Sequence, residues 1–512
     1  TPKSIATQHP FLMSLPAKGK ICVVIREHNA DDFQKAILHN RDNSDLMEFR
    51  LDYLNSSQLN IKQLRYWIAI SGVPVIATLR RKPFGGLFSG SPNEQMDIVN
   101  KIQGAGFDFV DIELETLEVI DSEQLEKVRA GSMKLIASYH NFKETPSNLK
   151  SVFDRIVVFR PEVVKIATMA LSFSDNFRLI ELISQATERG LMIIPVAMGE
   201  LGVYSRVIAP SRGALLTYAS SQAGQETAPG QFTALGLKDV YQLNLIDQST
   251  LIYGIIGCPI KHSMSPYVHN YAFQKIGLKS CYLPLYIPNL KEFGPYLGRF
   301  SGLSVTLPHK VSILDYVGFK DRSVEESGAA NTLVKKIDGF WAYNTDTEGV
   351  RFALRDVLGD DSSCRTVLLG AGGAARSAAV VLKESGCDVT VLARNQRKAE
   401  VFARDFEFSS GSLDDVGQYR GDLLINATPI GMSPANHETP VPEEALNYDV
   451  VFDMIYNPLE TRLLREAQRK AKIVSGLEMF VGQAAYQFQL WTGKNISKET
   501  LREVVFGQLQ NR

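Results

Sequence analysis

A glycine-rich turn between two apolar runs constrains the fold of this chain more than any other feature. Residues 366–394 read TVLLGAGGAARSAAVVLKESGCDVTVLAR, which predicts a strand, a phosphate-binding loop, a helix and a second strand. Gly370 permits a tight turn, and Gly372 lets the backbone approach a pyrophosphate. Gly373 and Ala374 let the helix pack close to the sheet, and its first amide groups face the phosphates. The loop therefore predicts a dinucleotide site, with an ordinary tight turn as the alternative.

The residues after the second strand indicate which dinucleotide binds. Folds that prefer NAD place an acidic residue there, on the ribose hydroxyls. This chain has Arg394 and Asn395 instead, followed by Arg397 and Lys398. Positive charge suits a 2′-phosphate, so the predicted cofactor is NADP. The alternative is a solvated basic helix start.

Length and composition limit the remaining possibilities. A chain of 512 residues with 45% hydrophobic and 22% charged residues fits a globular protein of two to four domains. A net charge of -1 gives no electrostatic case for nucleic acid or an anionic membrane. Five scattered cysteines predict a reducing compartment and no metal site, so we expect a cytoplasmic protein, with the plastid stroma as the alternative. Residues 1–20 predict a short tail, the alternative being the remnant of a transit peptide.

The first half of the chain contains eight short apolar runs separated by helix-like segments. They begin at Ile21, Leu46, Pro74, Phe109, Lys134, Val163, Met192 and Leu215. Eight such units predict a closed parallel barrel over residues 21–247, with an open parallel sheet as the runner-up. Catalytic groups of barrels lie at the carboxyl ends of strands. The candidates within or ending these runs are Glu48, Arg50, Arg80, Glu113, His140, Lys165 and Met198.

The second half predicts two further α/β units. Residues 248–345 alternate strands and helices, with LIYGIIG, CYLPLYI and GLSVTLP as strands. Residues 346–476 carry the nucleotide-binding loop. We expect the C-terminal helical segment, residues 477–512, to pack back on the preceding unit.

A lysine in the barrel predicts covalent chemistry. Lys165 lies in the apolar run PEVVKIATMA, where burial favours a neutral amine that attacks a ketone to form a Schiff base. His140 ends the neighbouring strand as a candidate general base and acid. Arg50, Arg80 and Arg206 are candidates for binding a carboxylate. The alternative is a snorkelling lysine with a core histidine.

The order of motifs in this half resembles a known enzyme family. MEFRLD, TLR, SYHNF, VVKIAT, MGELGVYSR and APGQ follow one another as in type I 3-dehydroquinate dehydratases, over roughly residues 20–245. The resemblance implies a TIM barrel with Lys165 as the Schiff-base lysine, His140 as the proton shuttle and no metal. The substrate contacts that it implies are Glu48, Arg50, Arg80, Arg206, Thr227 and Gln231. One departure is Phe84, which stands where the family usually has a glutamate, so we expect a functional but slower dehydratase.

Polar residues in the second half predict a hydroxy-acid site. Ser263 and Ser265 lie in a strand-to-helix turn, where hydroxyls bind carboxylates. Lys310 and Asp346 form a candidate pair that moves a hydroxyl proton while hydride moves at the carbon, and a surface ion pair is the alternative. His262 and His269 lack a third metal ligand, so capping and packing are predicted for them.

These residues belong to a second resemblance, to shikimate dehydrogenases. HSMSP, VTLPHK, GAANTL, YNTD, GAGGAAR, NATPIGM, DMIYNP and GLEMFVGQAAYQF span about residues 250–510. The resemblance implies a two-domain enzyme with a Rossmann NADP-binding domain, and Lys310 and Asp346 as its catalytic pair. Implied substrate contacts are Ser263, Ser265, Thr306, Asn331, Tyr456 and Gln483. Implied cofactor contacts are Gly370, Ala371, Gly372, Gly373, Ala374, Arg394, Asn395, Lys398, Thr428, Met454 and Gly476. The family often has asparagine at the position of Ser304, a change that we expect to be tolerated.

Together the two resemblances predict a fused enzyme that dehydrates 3-dehydroquinate and then reduces the product to shikimate with NADPH. Quinate metabolism is the second enzymatic reading, and a nucleotide-sensing regulator is the non-enzymatic one. The intact Lys165, His140, Lys310 and Asp346 disfavour the regulator. We expect small-molecule substrates, no nucleic acid or membrane partner, and a monomer or weak oligomer.

Overall fold

A computed structural model of the chain describes residues 19–55, 58–358 and 364–510. The chain divides into two compact units, the first ending at Thr250 and the second beginning at Leu251. Most of the predicted tail, residues 1–18, lies outside the described residues. Within the described ranges, no helix combines the length and the apolar character that a bilayer crossing requires.

The first unit is built on an eight-stranded parallel sheet. Its strands are β1 (Ile21–Ile25), β2 (Leu46–Arg50), β3 (Val75–Thr78), β4 (Phe109–Glu113), β5 (Lys134–Asn141), β6 (Val163–Met169), β7 (Met192–Met198) and β8 (Thr217–Ser220). Strands β1 to β7 pair in chain order, and β8 pairs with β1. The amide of Leu215 donates to the carbonyl of Ile193 at 2.9 Å, which joins the segment entering β8 to β7. This closure makes the sheet a barrel and excludes the open sheet.

Helices connect the strands of the barrel. They are α1 (Ala30–Asn40), α2 (Ile61–Ser71), α3 (Pro92–Ile102), α4 (Leu114–Leu117), α5 (Ser122–Ala130), α6 (Leu149–Val157), α7 (Asp175–Glu188) and α8 (Val203–Ile208). Local sequence fixes several of their starts. At α3, for example, Ser91 and Glu94 form a reciprocal capping box around Pro92, which suits the first helical position.

The side chains that point into the barrel change from apolar to polar along the strands. Side chains two residues apart on a strand share a face. Near the amino ends the interior is apolar and contains Cys22, Leu46, Ile76, Phe109 and Ile136. Polar side chains replace them further along the same strands, so the polar pocket lies towards the carboxyl ends, as predicted for a TIM barrel.

The second unit begins with a six-stranded mixed sheet in the order β10-β9-β11-β13-β14-β12. Its strands are β9 (Leu251–Gly257), β10 (Ser280–Tyr286), β11 (Gly302–Val305), β12 (Phe319–Lys320), β13 (Thr332–Lys336) and β14 (Gly339–Tyr343). The first three are the predicted ones. The prediction missed the antiparallel hairpin of β13 and β14 and the short β12 beside it. An Asp338-Gly339 dipeptide ends the hairpin loop, and Gly339 has a φ of +132°, a turn signal that the sequence did contain.

A second six-stranded sheet in this unit is parallel and doubly wound, in the order β17-β16-β15-β18-β19-β20. Its strands are β15 (Arg365–Leu369), β16 (Asp388–Ala393), β17 (Ser409–Ser412), β18 (Leu423–Asn426), β19 (Val450–Asp453) and β20 (Lys472–Ser475). The order reverses at β15, which is where such sheets bind nucleotides. The edge strands β17 and β20 were not predicted, because SSGS and KIVS lack a sustained apolar run.

The helices of the second unit cover these two sheets. They are α9 (Ser265–Lys275), α10 (Leu290–Phe293), α11 (Arg322–Ser327), α12 (Thr345–Leu354), α13 (Gly373–Glu384), α14 (Gln396–Phe406), α15 (Arg462–Ala467), α16 (Gly476–Thr492) and α17 (Lys498–Gln510). Leu477, Val481 and Phe488 of α16 join Tyr253 and Phe273 of the mixed-sheet region in one apolar cluster. The C-terminal helix therefore packs back on the first part of this unit.

Candidate active sites

Lys165 lies inside the barrel among acidic groups. Its Nζ is 2.8 Å from Oδ2 of Asp111 and 3.3 Å from Oε1 of Glu48. The ring of Tyr218 lies beneath it, with its centroid 4.2 Å from Nζ. Only 5% of the lysine is exposed, yet the side chain lines an open pocket. The amine is therefore removed from bulk water and still accessible to a ligand.

Asp111 connects this lysine to a buried arginine. Nη2 of Arg80 lies 2.8 Å from Oδ2 of Asp111, and the hydroxyl of Ser138 donates to Oδ1 at 2.5 Å. Burial opposes the carboxylate charge, but Arg80 and Lys165 outweigh it and hold the pKa of Asp111 well below its ordinary value. Burial likewise opposes the charge of Arg80, but the carboxylates of Asp111 and Glu113 raise the pKa of that guanidinium. Asp111 stays ionised as the common counter-ion.

His140 faces the same pocket from the end of β5. Desolvation, together with the positive charges of Arg80 and Lys165, lowers its pKa well below the ordinary value. No described residue hydrogen-bonds its Nδ1, which is shielded from solvent. Phe84 and Phe142 also line the pocket, and the Phe142 ring stacks on the imidazole at 6.2 Å between centroids. The imidazole is thus neutral and has aromatic rather than carboxylate neighbours on this side.

Arg206 differs from the other arginines of this pocket in its partners. Arg50 forms a bidentate pair with Asp52, at 2.9 and 2.7 Å. Arg206 donates from Nη2 to the carbonyl of Pro229 at 2.8 Å, and its buried Nε has no partner among the described residues. Burial lowers the pKa of Arg206 to about 10. A buried guanidinium without a carboxylate partner is suited to bind an anionic ligand.

The remaining predicted contacts of the first half lie at the same pocket. Thr227 donates from its amide to Oε1 of Gln231 at 2.8 Å, and both residues line the cavity. Sequence reasoning missed Asp111 and Ser138. Both lie two positions from a polar group that was noted, Glu113 and His140 respectively, so strand alternation was the available signal.

In the second unit, Lys310 and Asp346 are in direct contact. Nζ of Lys310 donates to Oδ2 of Asp346, and Nδ2 of Asn331 donates to Oδ1 of the same carboxylate at 2.8 Å. Asn331 is itself fixed, because its Oδ1 accepts from the amide of Thr345 at 2.7 Å. The two residues that the sequence separates by 36 positions form one oriented pair at a cleft.

The other predicted substrate contacts surround this pair in the cleft. They are Ser263, Ser265, Thr306, Asn331, Tyr456 and Gln483. Ser265 begins α9, and its amide donates to the hydroxyl of Ser263 at 3.2 Å. The ring of Tyr456 packs on Phe480 at 4.4 Å between centroids. Side chains from several elements therefore converge on one polar pocket.

Ser304 belongs to a buried hydrogen-bond chain that sequence reasoning missed. The hydroxyl of Tyr282 donates to Ser304 at 2.5 Å, and Ser304 donates to Oε1 of Gln487 at 2.7 Å. Nε2 of Gln487 continues the chain to the hydroxyl of Thr332 at 2.7 Å. The Ser304 hydroxyl therefore has both a donor and an acceptor, although the family often has asparagine at this position. Nearby, His269 stacks on Tyr282 at 4.7 Å, which is the predicted packing role.

Two glycines of the glycine-rich loop have no room for a side chain, and a third faces open space where a phosphate can lie. Gly370 has a φ of +105°, and a Cβ there would lie 3.0 Å from the carbonyl oxygen of Ala427. A Cβ on Gly373 would lie 2.9 Å from Cβ of Lys310, whereas Gly372 faces open space. Among the described residues no side chain caps α13, so its first amide groups can bind an anion. The predicted contacts Ala371 and Ala374 line the same cleft.

The remaining predicted cofactor residues line the cleft too. Arg394 is exposed after β16, and Asn395 caps α14 by accepting from the amide of Lys398 at 3.0 Å. The amide and hydroxyl of Thr428 both donate to Asn426, at 3.0 and 2.7 Å. Met454 and Gly476 are in close contact, since a Cβ on Gly476 would lie 2.5 Å from the Met454 carbonyl. The cradle fits a dinucleotide with an additional phosphate near Arg394 and Lys398.

Asp453, at the end of β19, links two loops of this cleft. It accepts from Nδ2 of Asn426 at 3.0 Å, from the amide of Ile455 at 3.1 Å and from the hydroxyl of Thr461 at 2.6 Å. Burial raises the pKa of Asp453 to about 6. The sequence analysis did not predict a role for Asp453, although this residue ends a predicted strand.

Comparison with known proteins identifies the family. A model described as type I 3-dehydroquinase matches residues 21–248. The shikimate dehydrogenase substrate binding domain matches residues 255–333, and the shikimate 5'-dehydrogenase C-terminal domain matches residues 476–506. The chloroplastic bifunctional 3-dehydroquinate dehydratase/shikimate dehydrogenase of Arabidopsis thaliana is 36% identical over 487 residues, which cover 90% of this chain and 80% of that protein. The chain belongs to this bifunctional family.

Relatives of the second half alone are also known. Shikimate dehydrogenase (NADP(+)) of Methanopyrus kandleri is 39% identical over 287 residues, 52% of this chain and 98% of that protein. The crystal structure of shikimate 5-dehydrogenase from Thermus thermophilus, in complex with NADP(H) and shikimate, is 30% identical with a TM-score of 0.46. It covers 50% of this chain and 99% of that structure. The Methanopyrus kandleri relative, which about half of this chain matches almost completely, thus shows that proteins similar to the second half also occur separately.

Proposed function

We propose that this chain catalyses two consecutive steps of the shikimate pathway. The first half dehydrates 3-dehydroquinate to 3-dehydroshikimate, and the second half reduces that ketone to shikimate with NADPH. The observation that carries the proposal is that one chain contains both arrangements. Lys165 is buried and faces a pocket in the first unit, and Lys310 and Asp346 form an oriented pair in the second. Each arrangement supplies the groups that one of the two reactions needs.

In the barrel, the Lys165 amine adds to the substrate ketone and forms an imine with loss of water. Glu48, with Oε1 3.3 Å from Nζ, exchanges protons with the nitrogen during this addition. Asp111, at 2.8 Å, stays ionised and stabilises the positive charge of the nitrogen. The imine withdraws electrons, so a proton leaves the neighbouring carbon to neutral His140. The same imidazole, once protonated, returns the proton to the hydroxyl that departs one carbon further on. Water then hydrolyses the imine, which releases 3-dehydroshikimate and regenerates the Lys165 amine.

The arginines of the barrel pocket differ in their ability to bind the substrate carboxylate. Arg206 is buried without a carboxylate partner, whereas Arg50 and Arg80 are already paired with acids of the protein. We assign the carboxylate to Arg206, with Thr227 and Gln231 beside it, and the ring hydroxyls to Glu48, Arg50 and Arg80.

In the second unit, Lys310 and Asp346 handle the proton. NADPH supplies the hydride. Lys310 donates a proton to the ketone oxygen. Asp346, which Asn331 orients, accepts a hydrogen bond from the lysine and holds it in place. Ser263 and Ser265 bind the substrate carboxylate, and Thr306, Tyr456 and Gln483 complete the pocket.

The cofactor contacts follow the cleft from the glycine loop to α16. We assign the pyrophosphate to Gly370–Ala374 and the 2′-phosphate to Arg394, Asn395 and Lys398. Thr428, Met454 and Gly476 form the wall towards the nicotinamide. The exposed positive charge of Arg394 and Lys398 supports NADP over NAD.

Domain limits, assembly and location complete the proposal. We place the dehydratase at residues 21–247, the substrate-binding domain at 248–345 with helical residues 477–512, and the nucleotide-binding domain at 346–476.

We infer a monomer or weak oligomer, which light scattering of the full chain tests. Free cysteines suit a reducing compartment, so we propose the cytoplasm, with the plastid stroma as the alternative that cell fractionation distinguishes.

A coupled assay tests the two activities together. With 3-dehydroquinate and NADPH, enone absorbance should rise and then fall as NADPH is consumed. Borohydride added with 3-dehydroquinate should leave a reduced adduct on the peptide that carries Lys165. Material that neither consumes NADPH nor traps substrate contradicts the proposal.

A further inference from the structure

Two cysteines lie side by side at the amino ends of neighbouring strands in the nucleotide-binding sheet. Cys364 precedes β15 and Cys387 precedes β16, and their sulfur atoms are 2.9 Å apart. Arg365 pairs with Asp388 in the ladder, and the amide of Asp388 donates to the carbonyl of Cys364 at 3.0 Å. Paired strands lie about 4.8 Å apart, which falls within the roughly 4.4–6.8 Å between Cα atoms that a disulfide requires. The backbone therefore holds the two thiols in position for a covalent bond.

We propose that Cys364 and Cys387 form a redox-active dithiol, which a low-molecular-weight disulfide such as oxidised glutathione converts reversibly into an intramolecular disulfide. This site is separate from both active-site pockets. It requires no metal and no partner protein.

The two sulfurs differ in a way that assigns their roles. Cys364 is partly exposed, whereas Cys387 is buried with 8% exposure. A hydrogen bond from Cys387 lowers the pKa of Cys364 to about 6 against the opposing effect of burial, and the hydroxyl of Thr366 lies 3.3 Å from its sulfur. Cys364 is therefore the attacking thiolate and Cys387 the resolving thiol.

The exchange proceeds in two balanced steps. The Cys364 thiolate attacks one sulfur of oxidised glutathione, which forms a mixed disulfide and releases one glutathione thiolate. Cys387 then loses its proton and attacks the sulfur of Cys364, which releases the second glutathione. Two protein thiols are oxidised to one disulfide, and one glutathione disulfide is reduced to two thiols.

The position of the pair predicts what its oxidation changes. The predicted cofactor contacts follow the carboxyl ends of the same strands, at Gly370 and Arg394, six and seven positions or roughly 20–23 Å further along the chain. Oxidation should therefore leave reductase turnover within about twofold of the reduced value. The crosslink spans 23 positions, so it restricts the unfolded chain and should raise the unfolding midpoint of this unit by roughly 5–10 °C.

The test uses the full chain, incubated with oxidised glutathione and then alkylated under denaturing conditions. Of the five cysteines, two should resist alkylation, and before alkylation the intact mass should be lower than that of the reduced chain by two hydrogen atoms. Trypsin should release residues 356–365 crosslinked to 384–394, and dithiothreitol should reverse the change. Cys258→Ser, which removes a partly exposed cysteine outside the pair, should leave this behaviour intact.

The single variants separate the two roles. Cys387→Ser should retain glutathione on Cys364, because no resolving thiol remains, and Cys364→Ser should form neither adduct nor crosslink. Retained reductase activity identifies which variants are folded. The proposal is overturned if the unsubstituted chain keeps all five cysteines alkylatable, if glutathione persists on Cys364 with Cys387 present, or if the crosslink maps to another pair.

Discussion

Phe84 is a single residue whose identity sets the environment of the barrel histidine. It lines the pocket with His140, and Cζ of Arg81 lies 5.5 Å from its ring centroid. A carboxylate at this position would neighbour both the arginine and an imidazole whose Nδ1 has no partner among the described residues. A negative charge there would stabilise the imidazolium that forms during proton transfer.

We therefore expect Phe84→Glu to raise kcat of the dehydration by roughly threefold to tenfold. Steady-state formation of the enone measures the change. Phe84→Leu, which alters size without adding charge, is the matched control and should not increase kcat. An unchanged rate in the glutamate variant would mean that His140 gains nothing from a carboxylate at this position.

The protonation of His140 gives a second prediction at the scale of one residue. Its pKa lies well below the ordinary value of about 6.5, because desolvation and two nearby cations disfavour the imidazolium. The neutral base is present above that pKa, so kcat/KM of the dehydration should stay level from roughly pH 7.5 to about pH 6.5 and decline only at lower pH. Phe84→Glu should move the acidic limb to higher pH. A wild-type profile that already falls by half at roughly pH 6.5 would contradict the lowered pKa.

At the scale of elements, Asp453 couples the end of β19 to the loops after β18 and β19. Its folded pKa of about 6 lies above the unfolded value, so the folded state holds the proton more tightly between the two. The stability that this proton contributes is complete below about pH 4 and is lost as the pH rises through about 6. Burial favours the neutral carboxyl and outweighs the three hydrogen-bond donors, which favour the carboxylate.

Asp453→Asn removes this titration and keeps an uncharged side chain of the same shape. The free energy of unfolding of the variant, relative to wild type, should increase by about 2 kcal/mol between roughly pH 4 and pH 7. Chemical denaturation at several pH values measures the difference, and Asp405→Asn, at an exposed ion pair, is the control. A difference that is independent of pH would show that Asp453 ionises normally in the folded protein.

The elements also show what could be predicted from the sequence. The barrel strands were predictable because each is a compact apolar run, and a barrel buries both faces of its strands. Strand β17 could not be predicted from the sequence, because Ser409–Ser412 is polar and its strand conformation depends on backbone pairing with β16. In the pocket, residues carried by a recognisable motif were found, whereas Asp111 was missed because its importance arises from Arg80 and Lys165, which reach it only in the folded barrel.

At the scale of the whole molecule, the residues proposed for the two reactions lie in different compact units. Lys165→Met should lower dehydration by at least about 1000-fold, because the imine cannot form, and leave the reduction of added 3-dehydroshikimate unchanged. Lys310→Met should lower reduction by about 100- to 10,000-fold and leave dehydration unchanged. Arg322→Met, at an exposed ion pair, is the control for both assays.

Mixing the two lysine variants extends this prediction. Neither variant alone should convert 3-dehydroquinate and NADPH into shikimate at a normal rate. An equimolar mixture should restore the conversion, because the intermediate can diffuse from one chain to the other. Failure of the mixture, with each remaining activity intact, would mean that the intermediate does not reach a second molecule.

The close approach of Gly373 to the stem of Lys310 has a consequence for how this enzyme can evolve. A methyl group at residue 373 would lie 2.9 Å from Cβ of Lys310, the proposed proton donor, so the cofactor loop and this lysine are sterically coupled. A loop variant with a side chain at residue 373 would therefore have to shift Lys310 as well. The absence of a side chain at this one position thus ties the geometry of the cofactor loop to that of the proposed acid.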